Sequence, residues 1–259
     1  MLYREALRQT AHSVARGWIV ILALIMFAVG MQVAGALAAP LGLLGGFLLG
    51  AVNALLVGAT LHLIEQTLSG SRPLGWREVG ESVGHYFWDV IGVGFVLWVP
   101  LLVLERGAAG TPYGPAFSAM VFLLLFILLN PLPEIIYQTH PPSPIDAIRS
   151  SYDFVVDNWI EWFLPLALAF APFGISFFFR ISGLMGQGGV LNFFDLLTLP
   201  SVLLTRWLTL LGLPDMAAST LVLVGTPVAA TLMLIFRGHL FRALRGSTRR
   251  KRLYQARFG

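Results

Sequence analysis

Hydrophobic positions along this 259-residue chain fall into long blocks separated by short polar stretches. Residues 3–16, YREALRQTAHSVAR, place Leu7, Ala11 and Val14 at helical spacing, with Arg4, Arg8 and Gln9 elsewhere. That pattern predicts an amphipathic helix lying in the headgroup plane of a bilayer. The block GWIVILALIMFAVGMQVAGALAA follows and ends at Pro40. It predicts a first membrane span, because about 20 apolar residues cross the hydrocarbon as a helix. Its ALA at 36–38 resembles a signal-peptidase site. The apolar run exceeds the roughly 7–15 residues of a signal peptide, so the segment is expected to be retained.

The same alternation continues downstream. A second span is expected over about Leu41–Ile64, then the linker SGSRPLG and a second amphipathic stretch near 76–86. A third span over about Tyr86–Leu104 leads through ERGAAGTPYGP to a fourth, about 115–137. The proline-rich stretch NPLPEIIYQTHPPSP ends that span and opens a third amphipathic helix, PIDAIRSSYDFVVDNW. The fifth span is expected over about Trp159–Phe179 and the sixth over about Ala217–Phe236, with a basic tail at 246–259. In lipid, backbone groups must be satisfied internally, so spans are helices or closed barrels. Alternating strands are absent from the pattern. The expected fold is an all-α polytopic bundle of six transmembrane helices plus three interfacial amphipathic helices, in a single membrane domain.

Segment 189–213, GVLNFFDLLTLPSVLLTRWLTLLGL, tests that layout. Asp195, Pro200 and Arg206 interrupt it at intervals unsuited to a bilayer centre. An outer-face interfacial or re-entrant helix pair is preferred to a seventh span. The segment could equally dock another subunit.

Composition supports this reading. Hydrophobic residues make up 57% and charged residues 12%, against about 45–50% and about 25% in soluble domains. There is no cysteine, which excludes disulfides, thiolate metal sites and cysteine nucleophiles. Lysine occurs once, at Lys251, which leaves little room for Schiff-base chemistry. Positive charge is distributed unevenly. With six spans and both ends cytoplasmic, fourteen of the seventeen Lys and Arg residues face the cytoplasm. Only Arg106, Arg180 and Arg206 face outward, as the positive-inside rule requires.

The amphipathic stretches also resemble one another. Shifting the first by 141 residues lays Ala6, Arg8, Val14, Trp18 and Ile19 on Ala147, Arg149, Val155, Trp159 and Ile160. A shift of 73 lays Arg4, Glu5 and His12 on Arg77, Glu78 and His85. These matches suggest a threefold tandem repeat over 1–70, 71–142 and 143–245, each unit an interfacial helix, an outward span and a return span. The runs TLSGSRPLGWREVGESVGHYFWDVIGVG and PSPIDAIRSSYDFVVDNWIEWFLPL resemble bacterial six-span inner-membrane proteins. These are similar to the membrane domain attached to some glycerophosphodiester phosphodiesterases and to the YciC-like family. The resemblance covers most of 3–180 and 217–245 and implies an integral membrane role. In those phosphodiesterases a soluble barrel carries the chemistry. No segment here could form it, so that activity does not transfer.

Candidate chemistry gathers at one depth. His62 and Glu65 close the second span, His85 and Asp89 open the third, and Glu134 and His140 close the fourth. The i,i+3 and i,i+4 spacings put His62 with Glu65, and His85 with Asp89, on shared helix faces. Such a ring could hold a divalent metal, as carboxylate-bridged bundles do. The preferred reading is interfacial pairing with Arg77, Arg149 or water, with no metal and no cofactor. An Arg149 ion pair with Glu134 or Asp89 is expected to pin an interfacial helix to the bundle. Asp89, a turn inside the Tyr86-Phe87-Trp88 aromatic belt, is expected at a helix–helix contact. In the tail, Arg245, Arg249, Arg250, Lys251 and Arg252 are expected to bind anionic headgroups. No catalytic constellation stands out. The expected function is a non-enzymatic accessory or scaffold subunit of a larger inner-membrane assembly; a transporter or lipid-handling protein is the alternative. Expected partners are membrane lipids, other membrane subunits or further copies of the chain, and not nucleic acid.

Overall fold

The computed structural model of the chain describes residues 2–70, 73–108, 110–174 and 192–246, with the side chains of 105, 193–195 and 215 outside that description. Every described element is helical. Helix α1 (Leu2–Arg16) precedes α2 (Ile19–Ala38) and α3 (Leu43–Ser69). Next come α4 (Trp76–Ser82), α5 (Phe87–Ala108), α6 (Gly114–Leu128) and α7 (Leu132–Thr139). Helices α8 (Pro144–Phe170), α9 (Phe193–Leu210) and α10 (Asp215–Arg245) follow. Six stretches are long and apolar enough to cross a membrane: Ile19–Leu41, Leu43–Ser69, Phe87–Ala108, Gly114–Thr139, Pro144–Phe173 and Met216–Arg245. The protein is therefore an all-α polytopic bundle of the multi-pass membrane type.

The amphipathic stretches turn into spans at three different kinds of break. Gly17 and Trp18 separate α1 from α2, and a Cβ on Gly17 would lie 2.7 Å from Thr67 Cγ2, so this corner rests directly on α3. Residues 83–86 separate α4 from α5. Within α8 the break is a single residue, Asn158, whose φ of −133° and ψ of 17° leave the helical region. At the far end α2 and α3 form a hairpin through a turn containing Pro40. Gly42 takes a φ of +58° there, a conformation that suits a residue without a Cβ.

Helix α1 joins the bundle by a face that hydropathy does not pick out. Ala6, Thr10 and Ser13 are its buried residues, and they run along α10. Small side chains let helix backbones approach closely in lipid. Leu7 and Trp18 point away and are exposed, where the bilayer boundary can take them.

The segment around 193–210 departs from expectation. It forms one helix, α9, in place of a helix pair, and folds back on α10 through a turn at Leu211–Pro214. A Cβ on Gly225 of α10 would sit 3.4 Å from Leu204, and Leu196 and Leu197 pack on the main core. Pro200 is accommodated inside the helix. Residues 189–191, the side chain of residue 195, and Arg180 lie outside the described residues, as do 175–179 at the end of the expected fifth span.

Burial is concentrated toward one end of the bundle. Leu61, Leu63, Ile64, Leu132, Ile135, Ile136, Ile235, Leu240 and Phe241 are almost completely enclosed there. The opposite halves expose Leu43, Leu44, Phe47, Val103 and Leu223, a surface whose solvent is hydrocarbon.

Candidate functional site

Two polar clusters occupy the well-packed end. The first is built on a break in the fourth span. Pro131 and Pro133 cannot donate backbone hydrogen bonds, and the helix interrupts at 129–131 before α7 resumes. In an unbroken helix the Asn130 carbonyl would accept from the residue-134 N–H. The break frees it. Arg237 of α10 donates from Nη2 to that carbonyl at 2.6 Å. Its Nε donates to Glu134 Oε1 at 2.8 Å, and Nη2 also donates to Glu134 Oε2 at 2.9 Å. The Asn130 side chain accepts from Trp162 Nε1 at 2.8 Å, and the guanidinium carbon lies 5.2 Å from the centre of a Trp162 ring. Glu134 is 0% exposed. It sits in the first turn of α7, where the helix dipole favours a carboxylate. One arginine thus ties α7 to α10 with planar, charge-assisted bonds, and Trp162 of α8 lies beside its guanidinium.

The expected Glu134–Arg149 pair does not form. Ala147, Ser151, Phe154 and Val155 are the buried face of the first half of α8. Arg149, two residues from Ala147, is on the opposite face and is exposed; it has no ion-pair partner among the described residues. Asp89 is likewise exposed in the first turn of α5. It is not at the helix–helix contact expected of it, because Val90 and Val93 take the inward positions. Counting Lys and Arg alone places Arg237 among the fourteen cytoplasmic cations. Its spacing was the missed signal: Ala230, Leu234, Phe241 and Leu244 lie on its face of α10, and all are buried.

Around this pair, α10 is latched by backbone contacts. Gln138 Nε2 donates to the Gly238 carbonyl at 3.0 Å. Arg242 Nη1 donates to the Leu68 carbonyl at 3.3 Å, and Arg245 Nη1 to the Gln138 carbonyl at 3.2 Å. Arg245 remains exposed on the last turn. Arg249, Arg250, Lys251 and Arg252 lie outside the described residues. Ser13 Oγ and His239 Nε2, 3.0 Å apart, join α1 to α10.

The second cluster brings His62, Glu65, His85 and His140 together, with Tyr86 among them. The His62 and His85 rings stack with centres 3.7 Å apart and planes 28° from parallel. His62 Nδ1 is 3.3 Å from Glu65 Oε2, and His140 Nε2 is 3.5 Å from Glu65 Oε1. Tyr86 donates its hydroxyl to Glu65 Oε2 at 2.7 Å. Burial raises the Tyr86 phenol pKa first, and the Glu65 carboxylate raises it further, so the hydroxyl stays a donor. Gln66 and His62 Nε2 are in contact at 2.8 Å. The positions come from three elements: α3, the turn before α5, and the C-terminal cap of α7. Close approach is possible because Gly58, one turn before His62, faces the Tyr86 carbonyl carbon at a would-be Cβ distance of 3.1 Å. His140 is the one non-glycine residue with positive φ among the described residues, at +48°.

No family model, curated protein or solved structure matches the chain.

Proposed function

We propose that this chain is a non-enzymatic integral membrane accessory or scaffold subunit of a larger assembly in a bacterial inner membrane, with both termini in the cytoplasm. One observation carries the reading: the deeply buried carboxylate, Glu134, has both oxygens engaged by Arg237 in a contact that joins α7 to α10. A transporter needs ionisable groups facing a water path at depth. Here the buried pair holds helices together and Asp89 faces outward. The placement of the termini rests on the uneven distribution of Lys and Arg. The bacterial membrane rests on the likeness in layout to six-span inner-membrane proteins.

Lipid handling is the second reading, favoured by an apolar cavity of about 540 Å³ lined by Trp159, Phe163, Leu166 and Phe170 among others. Such a cavity suits an acyl chain better than a polar solute. Purification in mild detergent followed by native mass spectrometry separates the two. A stoichiometric membrane-protein complex is the expected result. A clean monomer carrying one tightly held lipid would overturn the scaffold reading.

A further inference from the structure

We propose that His62, Glu65 and His85, completed by His140, bind a divalent transition-metal ion of the zinc type. The inference goes beyond the scaffold reading and does not depend on it. One donor atom from each of His62, Glu65 and His85 can be chosen so that all lie within 4.8 Å of one another. Tetrahedral zinc ligands about 2.0–2.1 Å from the ion are about 3.3 Å apart. The His62 Nδ1 to Glu65 Oε2 separation is 3.3 Å, already the edge of such a tetrahedron. A His85 nitrogen lies within 4.8 Å of donor atoms on both residues, so ligating the ion requires the His85 ring to tilt out of its stack on His62.

One hydrogen-bonding arrangement leaves His62 Nδ1 free to bind an ion. His62 Nδ1 is buried and has no hydrogen-bond partner, although Glu65 Oε2 is close. Tyr86 already donates to that oxygen. Gln66 Oε1 is also buried without a partner. With the Gln66 carboxamide turned over, Oε1 accepts from His62 Nε2–H, 2.8 Å being the contact already made there by the amide. The imidazole proton is thereby fixed on Nε2, and the Nδ1 lone pair faces the carboxylate. Metal-bound histidines have this arrangement, with the second nitrogen donating to an outer partner. Tyr86 plays the matching part for Glu65. His140 adds a third imidazole from a left-handed backbone position that residues other than glycine seldom occupy. Three imidazoles and one carboxylate, with no thiolate in the chain, suit zinc or cobalt better than magnesium or calcium. The ion ties the end of α3 to the start of α5 and to the α7–α8 junction.

The test uses the full chain in detergent, produced without a polyhistidine tag and stripped with a chelator. Zn²⁺ is titrated by competition with a chromogenic chelator, and Co²⁺ is bound in parallel for its visible spectrum. One equivalent of Zn²⁺ and a tetrahedral Co²⁺ spectrum are expected. His62→Ala, His85→Ala and Glu65→Gln each weaken binding by at least about 10-fold, and Tyr86→Phe by about 10-fold, in line with lost ligands and an outer partner. His12→Ala binds as the parent does. A stoichiometry well below one, an octahedral Co²⁺ spectrum, or His85→Ala binding unchanged overturns the proposal. If a ligand variant fails to fold, the parent's stoichiometry and Co²⁺ spectrum decide the matter alone.

Discussion

Replacing Arg237 with Met removes two charge-assisted hydrogen bonds to Glu134 and one to the Asn130 carbonyl. Glu134 is 0% exposed, so water cannot replace the guanidinium without the helices parting. Breaking a buried ion pair from one side costs about 3–5 kcal/mol. Polar contacts between membrane helices average only about 0.6 kcal/mol each, because the unfolded chain also finds partners in the micelle. Three contacts on that scale set a floor of about 2 kcal/mol, and we expect about 3 kcal/mol. Exchanging both partners, Arg237→Met with Glu134→Leu, should recover most of the loss, since apolar replacements leave no buried charge. The measurement is equilibrium unfolding in mixed micelles of mild detergent and dodecyl sulfate. Tryptophan fluorescence reports it, with Trp162 lying against the pair. The double-mutant cycle should give a coupling of about 2–3 kcal/mol. A coupling below about 0.5 kcal/mol would refute the claim that this pair joins α7 to α10, and the scaffold reading would lose its main support.

Three further substitutions should differ in sign and size. Gly238→Ala brings a Cβ against Leu68 Cδ1 and within 2.7 Å of Tyr137 Oη; overpacking of about 1–3 kcal/mol should outweigh the helix-propensity gain. Gly94→Ala meets nothing within 4 Å and should stabilise by up to about 1 kcal/mol, so equal melting of the two variants would contradict the packing described here. Arg149→Ala should change stability by no more than about 0.5 kcal/mol, as at other exposed positions without partners. A loss above about 2 kcal/mol in the same unfolding assay would show that Arg149 is held by a contact absent from this structure.

Much of the fold was legible because lipid imposes simple rules on sequence. Span length and hydropathy located the six long helices, and the junctions at Trp18 and Asn158 fall where amphipathic pattern gives way to continuous apolar residues. Hydropathy could not place α9, since an apolar helix interrupted by Pro200 reads alike whether it lies at an interface or pairs with α10. The polar ring of His62, Glu65, His85 and His140 was visible as a shared depth. Which of its members touch depends on the approach of α5 to Gly58, and that is a tertiary fact. Glu134 illustrates the limit. Its burial is not evident in a stretch with five prolines, and its true partner is 103 residues away. Charge counting assigned Arg237 to orientation. Only the apolar periodicity around it, Ala230, Leu234, Phe241 and Leu244, signals an inward-facing cation.

The interruption at 129–131 divides the fourth span into mechanically unequal halves. In α7, Leu132, Glu134, Ile135, Ile136 and Tyr137 are buried, whereas in α6 only Gly114 is. A bilayer thicker or thinner than the protein must be met by tilting or kinking, at a fraction of a kcal/mol per ångström. The weakly held half yields first, and the break supplies its pivot. Changes in membrane thickness are thus absorbed by α6, while the end bearing Arg237 and the histidines keeps its shape.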